Sequence, residues 1–163
     1  GAVLDLSRSE AELAVRFFRT KHDALVVRRI GAVGYGLYAS AAYLARHPLK
    51  GPGDLPAHPL LLPKSGVELA WLRQLSPDAR PAFVSEVSLV LVEAARADAG
   101  VAALPRFLGD TTPGLTHVPM PREPTEPLWL TVHRDLRQTP RVRVLFDFLV
   151  GACRADRGLL LGA

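Results

Sequence analysis

A chain of 163 residues, 48% hydrophobic and 22% charged, has the balance of a globular fold, which excludes a disordered polypeptide. No apolar run approaches the ~18 residues of a membrane span. The net charge of +4 comes from scattered arginines with one doublet, Arg28-Arg29, so a dense nucleic-acid-binding block is excluded; the single cysteine, Cys153, rules out an internal disulfide and suits a reducing cytoplasm.

In chain order, residues 4–10 read as the end of a helix and 13–17 as a buried strand. Residues 25–39 are extended, with alternation at Val27, Ile30 and Val33. Ser40 is a plausible N-cap for a short helix ending at Arg46. Pro48, Gly51, Pro52, Gly53, Pro56 and Pro59 then punctuate a loop, in which Asp54 caps one helical turn. A strand is predicted at 60–62, a helix at 67–75 with Trp71 and Leu75 on one side, and a strand at 80–84.

The stretch SEVSLVLVEAARADAGVAALP, residues 85–105, is the most informative. Leu89, Val90, Val92, Ala94, Ala95 and Ala97 leave only a narrow polar stripe carried by Glu86, Glu93 and Arg96. Gly100 is expected to supply the left-handed conformation that closes this helix. Residues 101–104 are too short an apolar run for a helix, and Pro105 stops them. A brief helix at 106–109 and strands at 115–118 and 128–132 follow. Thr139 and Pro140 have the chemistry of an N-cap and first helical residue, and Val142, Leu145, Phe146, Leu149 and Cys153 form one apolar face of the last helix. Strand and helix signals in this order predict an α/β fold with a mostly parallel sheet.

Five segments resemble the effector-binding (substrate-binding) domain of LysR-type bacterial transcriptional regulators. LDLSRSEAELAVR, YGLYASAAYLAR, residues 54–62, the featured stretch, and PLWLTVHRDLRQTPRVRVLFDF occur in that family's order. Asp98 stands where the family's turn phrase has its first glycine, and Ala41 where proline usually follows the serine. The resemblance implies a periplasmic-binding-protein-like (type 2) fold with two lobes and two crossing strands, near 33–38 and 129–133. Lobe one, residues 1–34 and 133–157, is expected to be incomplete; lobe two spans 38–127; residues 158–163 form a C-terminal tail. The family's winged helix-turn-helix and the start of lobe one are not in the sequence, so an assembly through exposed apolar surface, or disorder near residues 1–10, is expected.

Ligands of open α/β sheets sit at the carboxyl ends of strands near helix amino ends, where free N–H groups favour an anion. The resemblance puts Ser85, Glu86 and Val87 at effector-contacting positions facing the inter-lobe cleft. It carries Ser40 over to a helix start on the same cleft, and Arg16 to a strand end where a guanidinium can clamp a carboxylate. Small polar groups are common at the Glu86 position in the family, so a carboxylate there is expected either to cap the helix or to select a cationic or hydroxylated ligand. The plain alternatives are helix caps for Ser40 and Ser85 and a surface role for Arg16.

His22, His47, His58, His117 and His133 form no metal signature. No nucleophile elbow or phosphate loop is present. The sequence therefore predicts no metal, no cofactor and no enzyme activity. The reading is a cytoplasmic ligand-sensing domain that binds a small effector (a carboxylate or amino acid), assembles as a homodimer or tetramer, and reaches DNA only through the N-terminal domain the chain lacks. The alternative is a solute-binding protein of a transport system.

Overall fold

A computed structural model describes residues 12–162. The expectations for residues 1–10 lie outside the described residues. The chain divides into two compact units. The first holds the described residues up to Ala32 together with Glu126–Gly158; the second holds Val33–Thr125 and the residues from Leu159. Two long strands, β2 (Leu25–Ser40) and β7 (Thr125–His133), carry the chain from one unit to the other.

In the first unit, β1 (Leu13–Arg16) pairs antiparallel with β7, Leu13 opposite Val132 and Arg16 opposite Trp129. The first half of β2 follows on the other side of β7. The long helix of this unit, α5 by chain order, spans Pro140–Ala155 and packs on this sheet. Ile30, Leu128, Leu130, Val132, Val142 and Phe146 form the core. Thr139 is the N-cap of α5 and Pro140 its first residue, but the Thr139 side chain makes no capping hydrogen bond. The apolar face extends beyond its cover: Leu145 is 47% exposed, while Leu149, Val150 and Cys153 pack against the core's edge. Burial pushes the Cys153 thiol above its ordinary value, so it stays a protonated, poorly nucleophilic group.

In the second unit the last half of β2 is flanked by two antiparallel partners, β5 (Val101–Pro105) and β6 (Leu115–Val118). Beyond β5 lie β3 (Leu60–Pro63) and β4 (Pro81–Ser85), with β3 parallel to both β5 and β4. Side chains alternate across a strand, and here both faces are covered. Leu37, Ala39, Leu60, Leu62, Val101 and Ala103 join one core with Trp71 and Leu72 of α2 (Val67–Leu75). Tyr38, Leu61, Ala102 and Leu104 join a second core with Leu91, Val92 and Ala95 of α3 (Ser88–Arg96). A strand buried on both sides reads as an unbroken apolar run, which is why residues 60–62 and 101–104 show no period in the sequence.

The short helix α1 (Ala41–Arg46) starts at Ser40, whose Oγ accepts a hydrogen bond from Tyr43 N at 2.9 Å. A 3-10 turn, Pro52–Ala57, is closed from within by Asp54, whose carboxylate accepts from the N–H groups of Lys50 and Gly51. α4 (Arg106–Gly109) follows β5 directly, and α6 (Arg157–Leu161) closes the chain.

Two expectations for α3 are corrected. The residue with left-handed backbone at its end is Asp98, with φ 63°, rather than Gly100. Gly100, at φ 149°, serves a close approach instead: a Cβ there would lie 2.1 Å from the Pro59 carbonyl oxygen. The apolar face of α3 is also wider than its cover, since Leu89 is 62% and Val90 43% exposed.

His58 is buried, and its Nδ1 lies 2.8 Å from the Tyr43 hydroxyl. Burial pushes the imidazole below its ordinary value of 6.5, against the opposing pull of Asp54. The unfolded chain then binds the proton more readily than the fold does. Stability from this site is present above the unfolded pKa and is lost as pH falls from about 6.5 toward the lower folded value. Urea midpoints measured from pH 7.5 to 5.5 are expected to decline, and His58→Gln to flatten that decline.

Candidate functional site

Three strands of the second unit run in one direction and finish on one edge of its sheet. Pro63 is opposite Ser85 in register, so the segment after β3 and the segment after β4 emerge side by side. Lys64 and Glu86 follow immediately. Their charged ends meet at 2.9 Å, with side chains 69% and 63% exposed. The hydrogen bond from Lys64 holds the Glu86 carboxyl below its usual range, and Glu86 raises Lys64 in turn. Ser85 Oγ accepts a hydrogen bond from Val87 N at 3.0 Å, a local turn that reverses the chain into α3. Val87 is the N-cap of α3 and offers no side-chain acceptor to the helix. The first-turn N–H groups of α3 and their positive dipole end therefore stand beside an exposed ion pair.

Ser85, Glu86 and Val87 are thus brought together. Ser40 is not. Because β2 runs antiparallel to β5, with Tyr35 opposite Pro105 and Tyr38 opposite Ala102, Ser40 lies past the amino end of β5. Ser85 lies at the carboxyl end of β4, so the two serines sit at opposite ends of one sheet. Ser40 is 6% exposed. Its hydroxyl caps α1 and donates to Asp98, which also accepts from Arg46 at 2.5 Å. Through these two bonds Ser40 ties the start of α1 to the end of α3. Ser40→Ala should cost about 1–2 kcal/mol through the lost cap and the orphaned Asp98 bond, read as a lower urea midpoint. Binding at the far edge should be unchanged.

Arg16 is the last residue of β1 in the first unit. Its guanidinium lies 5.4 Å from the Phe18 ring centroid, within cation–π range.

Sequence reasoning missed a charged cluster on the same carboxyl edge of the second unit. Arg106 comes directly after β5, and its side chain is only 14% exposed. It donates to Asp110 at 3.1 Å, to Glu123 at 3.1 Å and to the Gly162 carbonyl at 3.0 Å. His117 Nε2 lies 2.7 Å from the other Glu123 oxygen. Tyr38 donates to Asp110 at 2.6 Å; burial, and then this bond, hold the phenol above its ordinary value, so it remains neutral. The Arg106–Asp110 pair was legible as an i,i+4 spacing; His117 and Glu123 join only through the fold. Among the described residues no three His, Cys, Asp or Glu side chains converge to hold a metal, and no helix is long and apolar enough to cross a membrane.

The family model for the LysR substrate binding domain matches residues 1–154. No curated protein matches in sequence. Solved structures do match. The regulatory domain of CrgA, a LysR-type transcriptional regulator from Neisseria meningitidis, superposes with a TM-score of 0.75 at 23% identity, over 90% of this chain and 78% of that one. The effector domain of the transcriptional regulator AmpR of Pseudomonas aeruginosa gives 0.71 at 21% identity, over 94% and 77%. Full-length AphB, a Vibrio cholerae virulence activator, gives 0.71 at 21% identity over 92% of this chain, which spans 54% of that protein. At these identities the likenesses establish the fold, the two-unit α/β architecture expected from the sequence.

Proposed function

This chain belongs to the LysR substrate-binding domain family, and from that premise we propose how it acts. It is a ligand-sensing regulatory domain of a LysR-type transcription regulator, a family of regulators and not of transport proteins. The effector is a small molecule received at the carboxyl edge of β3 and β4, beside the amino end of α3, by Ser85, Glu86 and Val87. The observation that carries this reading is the Lys64–Glu86 pair next to uncapped helix N–H groups. Donors and an acceptor side by side suit a zwitterion, the carboxylate toward Lys64 and the α3 N–H groups, the ammonium toward Glu86. Amino acids are therefore the favoured class over simple carboxylates.

The role is binding without catalysis. The effector changes the population of arrangements only through its different affinity for each. Assembly as a homodimer or larger oligomer, action in the cytoplasm, and DNA contact through a domain outside this sequence complete the proposal.

Isothermal titration of the chain against amino acids and small carboxylic acids tests it. Glu86→Gln and Lys64→Met should each weaken the best ligand about tenfold. The fold should be unaffected, because the pair is exposed. Binding indifferent to both changes would remove this edge as the site. Arg16→Ala in the same titration decides whether the first unit contributes: lost affinity includes Arg16, unchanged affinity drops it.

A further inference from the structure

One stripe of α2 faces the loop that leads into β7. Val67, Ala70, Trp71 and Leu75 recur there at helical spacing. With Pro121 and Arg122 of the loop they line a cavity of about 260 Å³, wholly within the second unit. These walls can be reached from solvent: Ala70, Pro121 and Arg122 are exposed, Val67 and Leu75 are half-buried, and Trp71 keeps 7% of its surface. An apolar hollow with few polar groups is the common form of a small-molecule site.

Both sides of the cavity are held. Trp71 Nε1 donates to the Pro121 carbonyl at 3.1 Å. That bond uses the one polar group of the indole, so the rest of its ring offers only apolar surface. The loop is pinned beyond Arg122 as well. The Glu123 carboxylate is drawn away to Arg106 at 3.1 Å and His117 at 2.7 Å. The Pro124 carbonyl accepts from Tyr35 N at 3.0 Å.

Between these anchors Arg122 has left-handed backbone, φ 56°. Among the described non-glycine residues only Asp98 shares that region, and the Asp98 carboxylate is bonded to Ser40 and Arg46. The Arg122 guanidinium has no such partner: it makes no hydrogen bond or ion pair among the described residues. Backbone strain kept at a side chain with no partner in the fold points to a partner outside it. No acidic side chain lines the cavity, so the arginine charge is unopposed there.

We propose that this cavity is a second ligand site, for an aromatic ring that carries one anionic group. The ring lies against Trp71, Val67 and Leu75, and Arg122 at the rim receives the anion. A zwitterion of the kind proposed for the Lys64–Glu86 edge is disfavoured, because no carboxylate here meets an ammonium. The two sites therefore differ in chemistry and are separately testable.

NMR of the 17.7 kDa chain tests it with three probes: phenylacetate, its neutral counterpart phenylacetamide, and acetate. Phenylacetate should move the Trp71 indole N–H and the amides of residues 120–124 saturably. Phenylacetamide should bind the same place about fivefold more weakly, the scale of one exposed charge pair, and acetate should leave those signals unmoved. Arg122→Gln should lower phenylacetate to the affinity of phenylacetamide. Ala70→Phe, at an exposed position, should fill the cavity and abolish binding of both, with the amides of residues 12–32 unchanged as the sign of an intact fold. Glu86→Gln should bind phenylacetate as the parent chain does. Shifts linear in concentration, equal affinity for the charged and neutral probes, or binding that survives Ala70→Phe would overturn the site.

Discussion

Replacing Arg106 with methionine is expected to destabilise the fold by about 3–5 kcal/mol. The guanidinium sits with 14% of its side chain exposed, between Asp110 at 29% and Glu123 at 21%. Methionine keeps the aliphatic stem and removes every donor. Two carboxylates are then left in a poorly solvated place without their cation, and an uncompensated buried charge costs far more than the pair was worth. The loss spreads beyond the pair, because Glu123 also accepts from Met120 N at 3.1 Å and Asp110 holds the Tyr38 hydroxyl. Urea denaturation should show the midpoint fall with little change in slope. Arg96→Met is the control: its partner Glu93 is one helical turn away and both are exposed, so a few tenths of a kcal/mol is expected. Equal effects of the two changes would mean that the Arg106 cluster is solvated and carries no special weight.

Gly100→Ala is expected to cost about 3 kcal/mol or more. The backbone at φ 149° is a region that residues with a Cβ rarely adopt, and the new methyl would lie 2.1 Å from the Pro59 carbonyl oxygen. That oxygen is fixed, since it accepts the Val101 N–H at 2.9 Å where β3 and β5 begin side by side. Neither backbone can retreat without opening the centre of the sheet. Gly53→Ala offers the contrast: nothing lies within 4 Å of its Cβ position, and a change within about 0.5 kcal/mol is expected. Comparable thermal melts for the two variants would contradict the close-approach account.

The helix at 67–75 and the short helix at 106–109 have the bounds expected for them. Each is delimited by local chemistry: Gly66 before the first, Pro105 and Gly109 around the second. The N-cap at Ser40 was equally local, a serine before an apolar run. Its second bond was not, because Asp98 lies 58 residues away in sequence. Asp98 itself carried a signal, an acidic residue where a turn wants left-handed backbone. Its φ of 63° shows a non-glycine residue holding that conformation, at a strain of roughly 1 kcal/mol, while its carboxylate links α1 and α3.

What the sequence alone determined here is therefore everything governed by neighbours a few residues apart: which segments are helix or strand, which faces are apolar, and which family phrases occur in which order. The tertiary structure decided which ends meet. Strand direction put Ser85 and Glu86 beside Lys64 and sent Ser40 to the opposite edge, and the return of the chain brought His117 and Glu123 to Arg106. A periodicity is blind to this, because a strand buried on both faces has the same apolar pattern whichever way it runs. Only the pairing of backbone groups across the sheet assigns its direction, and with it the company each charged side chain keeps.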